Sequence, residues 1–226
     1  MYTFKQEMGR LMNKLNKKSK GKRKKGSPLN PYIRPGKFAD DKVINCREYL
    51  SYRRVMYMDH VINAPAGDII LSLLMLDDIS HDPITILMYC PGGSIDAGFA
   101  ICDVMEQIKS PIYTVAFSIQ SMAVPVFMCG DRRILSEHAR VMLHLPWGMT
   151  QGDAREMEIA NKEMQKTKDN MVNFLMRKGL NGTRKSILKD IDRDNWMDSG
   201  EAINKGIGDE ILSEGIQKLI MGKGGK

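Results

Sequence analysis

Two continuous apolar runs, "ITILMY" (84–89) and "PIYTVAF" (111–117), are separated by a glycine turn and one amphipathic segment. That arrangement constrains the chain more than any other feature. Apolar runs without polar alternation suit strands covered on both faces, the usual condition of a parallel sheet. Parallel neighbours need a crossover, and "IDAGFAICDVMEQIKS" supplies one, reading as a helix with Phe99, Cys102, Met105 and Ile108 inward. The pattern repeats on both sides. "RRVMYM" precedes a helical segment in which Ile69, Ile70, Leu73, Leu74 and Leu76 fall at helical spacing. "MAVPVFMCG" follows the second run as another helix with Gly130 at its C-terminal cap, and "RRIL" and "RVMLHL" read as two further strands. Strand and helix in strict alternation indicate an α/β core with right-handed crossovers.

The texture then changes. Asp153 and Glu156 have the spacing of a capping box and open a long charged helix over about 153–178, ending near Gly179. Such a helix exceeds what one small domain can cover, so part of it is expected to project and meet another subunit. A shorter helix, "TRKSILKDI", follows, and "DRDNWMDSGEAINKGIGDEIL" reads as a further helix and a final strand.

Charge divides the chain. Residues 1–37 hold twelve Lys or Arg against Glu7, a net +11, which leaves the remainder at −4. "NKKSKGKRKKGSPLNPYIRPGK" is too polar to bury a core and is expected to be a disordered basic arm. It is open to two readings: a solvated arm, or one that binds nucleic acid or an acidic partner. "MYTFKQEMGRLMNKL" within it has the spacing of one short amphipathic helix. The body is expected over 38–216, with a flexible tail at 217–226. No stretch approaches the roughly 20 apolar residues of a membrane span. Cys46, Cys90, Cys102 and Cys129 show no paired or zinc-ligand spacing and read as reduced, core-filling thiols.

Three places combine reactive residues with apolar scaffolding. Gly92-Gly93 follows a buried strand and would let main-chain N–H groups approach a ligand. Ser121-Met122 stands at a predicted helix start, so Ser121 is either an N-cap or a nucleophile in the dipole's positive field. His144 lies in an apolar strand before a Pro/Trp/Gly loop; alone it reads as a core histidine. With Asp194, these residues supply nucleophile, base and orienting carboxylate.

"ITILMYCPGGSIDAGFAICDVMEQIK", "SMAVPVFMCG", "RVMLHLPWGMTQGDAREMEIANKEM" and "DIDRDNWMDSGEAINKGIGDEIL" together resemble the proteolytic subunit of the caseinolytic (Clp) ATP-dependent serine protease. The resemblance places Ser121, His144 and Asp194 on the family's catalytic positions and gives the oxyanion role to the N–H groups of Gly93 and Met122. It sets an extended substrate strand beside Gly92 and Ser94. It implies the ββα-superhelix of the Clp/crotonase type with a projecting helical handle. It further implies a double heptameric ring, unfolded polypeptide substrates and a separate AAA+ Clp-type ATPase. No phosphate loop occurs in this chain, so no cofactor and no metal are expected in this subunit, and ATP would be used by the partner. A cytoplasmic location is expected, with a plastid stroma or another organelle matrix as the alternative. The chain departs from the family pattern in a shortened segment before Ser121, in Gln120, Ala123 and Pro125, and in Leu145 after the histidine. Two other readings stand beside the peptidase: a non-catalytic ring-building paralogue, and a crotonase-like acyl-CoA enzyme.

Overall fold

The computed structural model describes residues 36–37, 43–44, 46–59, 66–213 and 215–216; most of the basic arm and the 217–226 tail fall outside them. Two compact units are divided between Met56 and Tyr57. In the first, strands β1 (Gly36–Lys37) and β2 (Val43–Ile44) pair antiparallel and are followed by helix α1 (Cys46–Tyr52). The second begins within strand β3 (Val55–Met58) and carries everything discussed below.

Its sheet is built from β3, β4 (Ile84–Cys90), β5 (Ile112–Gln120), β6 (Arg132–Leu143) and β7 (Asn195–Met197) in that order, with β8 (Glu210–Ile211) paired to β6. β4, β5 and β6 are parallel, as the apolar runs demanded, and Ile84, Ile86, Met88, Val115, Ala116 and Ile119 are sealed from solvent. Helix α2 (Ala66–Ile79) leads into β4, and the crossovers between the parallel strands are helix α3 (Ile95–Gln107) and the short α4 (Ala123–Met128).

The interior of α3 is Gly98, Ile101, Cys102 and Met105. Phe99 and Ile108, expected inward, are only half-buried; Phe99 instead meets Phe174 edge-on at 5.3 Å between ring centres. On α2, Leu73 and Leu76 are core while Leu74 shares an exposed face with Leu71 and Met75.

Two strand boundaries differ from the sequence reading. β5 continues through Ser118, Ile119 and Gln120, and "RRIL" and "RVMLHL" are the two ends of one strand. The reason is a dislocation in the sheet. Ala116 pairs with Leu135 but Ser118 pairs with Arg140, so residues 136–139 of β6 have no opposite number in β5. Phe117 is likewise skipped in the pairing with β4. Irregularities of this kind re-aim the strand ends that follow them.

β6 is long enough to serve three partners. Ile134 and Leu135 pair with β8, Val141 to Leu143 with β7. Arg133 ties this corner together by donating to the Asp209 carboxylate and to the carbonyls of Lys178 and Gly206.

The handle is helix α5 (Ala154–Arg177), opened by the anticipated capping box: Asp153 accepts from the N–H groups of Arg155 and Glu156, and Glu156 accepts from the Asp153 N–H. No residue of it before Met171 is buried; Met171, Val172, Phe174 and Leu175 anchor its end. Helices α6 (Arg184–Asp190) and α7 (Ser199–Asn204) complete the unit. Among the described residues, no helix is long and apolar enough to cross a membrane.

Candidate active site

Ser121 follows β5, at the point where a chain leaving a parallel strand must reverse into its crossover. Its N–H donates to the Met142 carbonyl (2.8 Å) and its carbonyl accepts from the Val124 N–H (3.0 Å). Both ends are therefore held while the residue itself adopts φ +53°, the left-handed region that costs a non-glycine residue roughly 1–2 kcal/mol. Helix α4 begins at Ala123 with Met122 as its N-cap, and Met122 makes no side-chain cap. Ser121 thus stands before the helix rather than at its start, a correction to the sequence reading. Its hydroxyl lies 2.7 Å from His144 Nε2 instead of capping α4. In the tautomer with the proton on Nδ1, the hydroxyl donates to Nε2. The segment before Ser121, shorter than the family pattern, delivers the hydroxyl to His144 at this distance.

His144 follows the last residue of β6 and is half-buried. Its Nδ1 is 3.8 Å from Asp194 Oδ1, an ion-pair separation longer than a hydrogen bond. The Asp194 side chain is 64% exposed against 17% for His144, so water competes for the carboxylate. Asp194 immediately precedes β7, a strand the sequence reading did not contain. Three residues are too few for any periodicity to show, and the β-former Trp196 was the one available signal.

The Gly92-Gly93 turn packs directly on the serine turn. A Cβ on Gly92 would lie 2.6 Å from the Gln120 carbonyl oxygen, 2.9 Å from the Met122 nitrogen and 2.9 Å from Ser121 Cβ. With φ +92° at Gly92 and +149° at Gly93, only glycine fits this approach. The Ser94 hydroxyl accepts from the Ala97 N–H and caps α3, and Ser94 also lines the groove described next.

These turns open on a groove of about 770 Å³ whose walls include Gly93, Ser121, Met122, His144 and Trp147, with Met164 of the handle opposite. Its methionine lining was not foreseen. Cys90, Cys102 and Cys129 are buried and in no disulfide among the described residues. A hydrogen bond with Cys129 and burial push the Cys102 thiol up, so it has no thiolate to offer as a rival nucleophile.

The Clp protease family model matches residues 39–215. This chain belongs to the Clp protease family. The ATP-dependent Clp protease proteolytic subunit 1 of Chlamydia muridarum is 36% identical over 172 residues, covering 74% of this chain and 89% of that protein. Proteolytic subunit 2 of Prochlorococcus marinus is 31% identical over 194 residues, covering 83% and 95%. A solved structure of a ClpP1 mutant from Listeria monocytogenes superposes with a TM-score of 0.67 at 29% identity, covering 74% of this chain and 95% of that one. The fold of this Clp-family chain is accordingly the α/β fold of the Clp/crotonase type, and α5 is its handle.

Proposed function

We propose that this Clp-family subunit is a serine endopeptidase acting on extended, unfolded polypeptide. The observation that carries the reading is the 2.7 Å contact between Ser121 Oγ and His144 Nε2, made by a serine held in left-handed backbone. A serine hydroxyl is a weak nucleophile at neutral pH unless a neighbour accepts its proton, and an imidazole at this distance can.

In the proposed cycle Ser121 Oγ attacks the scissile carbonyl carbon while Nε2 takes the hydroxyl proton. The Gly93 and Met122 N–H groups receive the oxyanion. Nε2 then gives the proton to the leaving nitrogen, the C–N bond breaks, and an acyl-serine remains. Water attacks that ester with Nε2 again as base, releasing the carboxylate and restoring the hydroxyl. Asp194 orients the imidazole and balances its transient positive charge. The substrate strand runs along Gly92-Gly93 and into the groove beneath Trp147. No step calls on a metal or cofactor of this subunit.

The matched relatives are named as ATP-dependent. On that likeness we assign ATP use to a separate AAA+ unfoldase and the working particle to a double heptameric ring, with the uncovered handle available for contacts between subunits. Buried thiols outside any disulfide suit a reducing compartment, and the cytoplasm is the proposed location.

A fluorophosphonate probe separates this reading from a non-catalytic ring subunit and from an acyl-CoA enzyme. The purified full chain is expected to label, and Ser121→Ala to lose the label, since loss of such a nucleophile costs on the order of 10⁴–10⁶ in turnover. Equal labelling of both proteins, or of neither, overturns the peptidase assignment.

A further inference from the structure

The pairing of β6 with β7 runs antiparallel: Val141 opposite Met197, Met142 opposite Trp196, Leu143 opposite Asn195. The ladder ends there, and His144 and Asp194 are the next residues out on its two strands, 3.8 Å apart at their closest ring-nitrogen and carboxylate atoms. Side chains alternate along a strand, so Arg140, Met142 and His144 belong to one face of this ribbon, and Trp196 and Asp194 to the same face from the other side. The contact between His144 and Asp194 is thus a consequence of register. A one-residue slip of β7 would turn Asp194 to the opposite face.

Three residues make a weak strand, and the exposed carboxylate at 3.8 Å does not hold itself in place. Another contact lies on the same face. The Arg140 guanidinium lies 5.5 Å from the centre of the Trp196 ring, the diagonal neighbour across the antiparallel pair. Arg140 is exposed and Trp196 is 43% exposed, so neither is needed to fill the core. A large indole left at the surface and covered by a cation is suited to fixing where one strand lies on another.

We infer that Arg140 and Trp196 form a clasp that positions Asp194, holding β7 in the one register that keeps its carboxylate opposite His144 Nδ1. The inference rests on the peptidase reading above and adds two positioning residues to it, neither of which touches substrate. The Leu145 N–H bonds to the Ile191 carbonyl at 2.8 Å, outside the β6–β7 register, and ties the chain leading to Asp194 to the end of β6.

The test is a mutant cycle read as fluorophosphonate labelling rate of the full chain, with thermal melts as the folding check. Trp196→Ala and Arg140→Ala are each expected to slow labelling about tenfold to a hundredfold, the scale of a small misplacement of a catalytic group. The double variant should be no slower than either single one. Arg140→Lys and Trp196→Phe should retain most of the rate. In an Asp194→Ala background, read over long incubation, Trp196→Ala should add no loss. An equal fold-loss with and without Asp194 would mean a merely structural role and overturn the clasp, as would wild-type rates in both alanine variants. If Trp196→Ala fails to fold, Arg140→Ala at its exposed position decides by the same criteria. Wild-type protein that labels no faster than Ser121→Ala overturns the underlying peptidase reading instead, and the clasp with it.

Discussion

Gly92→Ala concentrates the physics of the site in a single methyl group. The added Cβ would stand 2.6 Å from the Gln120 carbonyl oxygen and 2.9 Å from the Met122 nitrogen. Both are main-chain atoms, and Gln120 is held in the sheet opposite Met142, so neither yields as a side-chain end would. Restoring ordinary contact requires the two turns to part by about 0.8 Å, against a normal closest approach of roughly 3.4 Å. The φ of +92° adds about 1–2 kcal/mol of strain for a residue with a side chain. Overpacking contributes a further 1–3 kcal/mol, roughly. Together these come to about 2–5 kcal/mol, below the middle of the roughly 5–15 kcal/mol that keeps a domain folded at 25 °C. Activity should suffer more than stability, because the shift falls between Gly93 and Met122, where the oxyanion would sit. A misplacement near 1 Å costs on the order of 10² in rate. The assay is fluorophosphonate labelling beside a thermal melt, with Ser121→Ala as the zero. Gly92→Ala labelling within about threefold of wild type, while melting lower, would refute the close-approach argument.

Two further outcomes follow from contacts away from the groove. Burial by itself would raise the Asp77 carboxyl, but hydrogen bonds from the Ser110 hydroxyl and N–H, His81 and the Lys109 N–H outweigh it and hold it at about 2, below the ordinary 3.8. Because the folded value is the lower one, its stabilisation is complete above about pH 4 and drains away as pH falls through 2. Asp77→Asn should melt lower than wild type at pH 7 by an amount on the order of 1–2 kcal/mol, and the difference should close toward pH 2 in acid titrations followed by circular dichroism. A Cβ on Gly130 would lie 2.4 Å from Thr114 Oγ1, which donates to the Phe127 carbonyl at 2.9 Å. Gly130→Ala should therefore cost about 1–3 kcal/mol in urea unfolding, and Thr114→Ala in the same chain should recover part of the added loss.

Much of this molecule can be read along the chain, because its signals are local. Apolar runs at 84–89 and 112–117 have no polar side, so they must be covered on both faces, and that alone demands a parallel sheet with crossovers. Asp153 and Glu156 specify where the handle begins, since a capping box involves four consecutive residues. The motif resemblance named Ser121, His144 and Asp194 for the same reason: each sits in its own short, recognisable phrase.

What no local signal contains is register. That β5 runs on to Gln120, that β6 is one strand serving three neighbours, and that Ser121 stands before its helix in left-handed backbone all follow from pairings tens of residues apart. β7 is the clearest case. Three residues have no period of their own, yet laid against Val141 to Leu143 they place Asp194 beside His144 and Trp196 beside Arg140. Sequence by itself determined the layers, the crossovers and which residues carry reactive groups, because burial and capping act over one to two turns of chain. Tertiary structure decided how those groups face one another, because strand register is set by contacts between segments that are distant in the chain and meet only when the sheet forms.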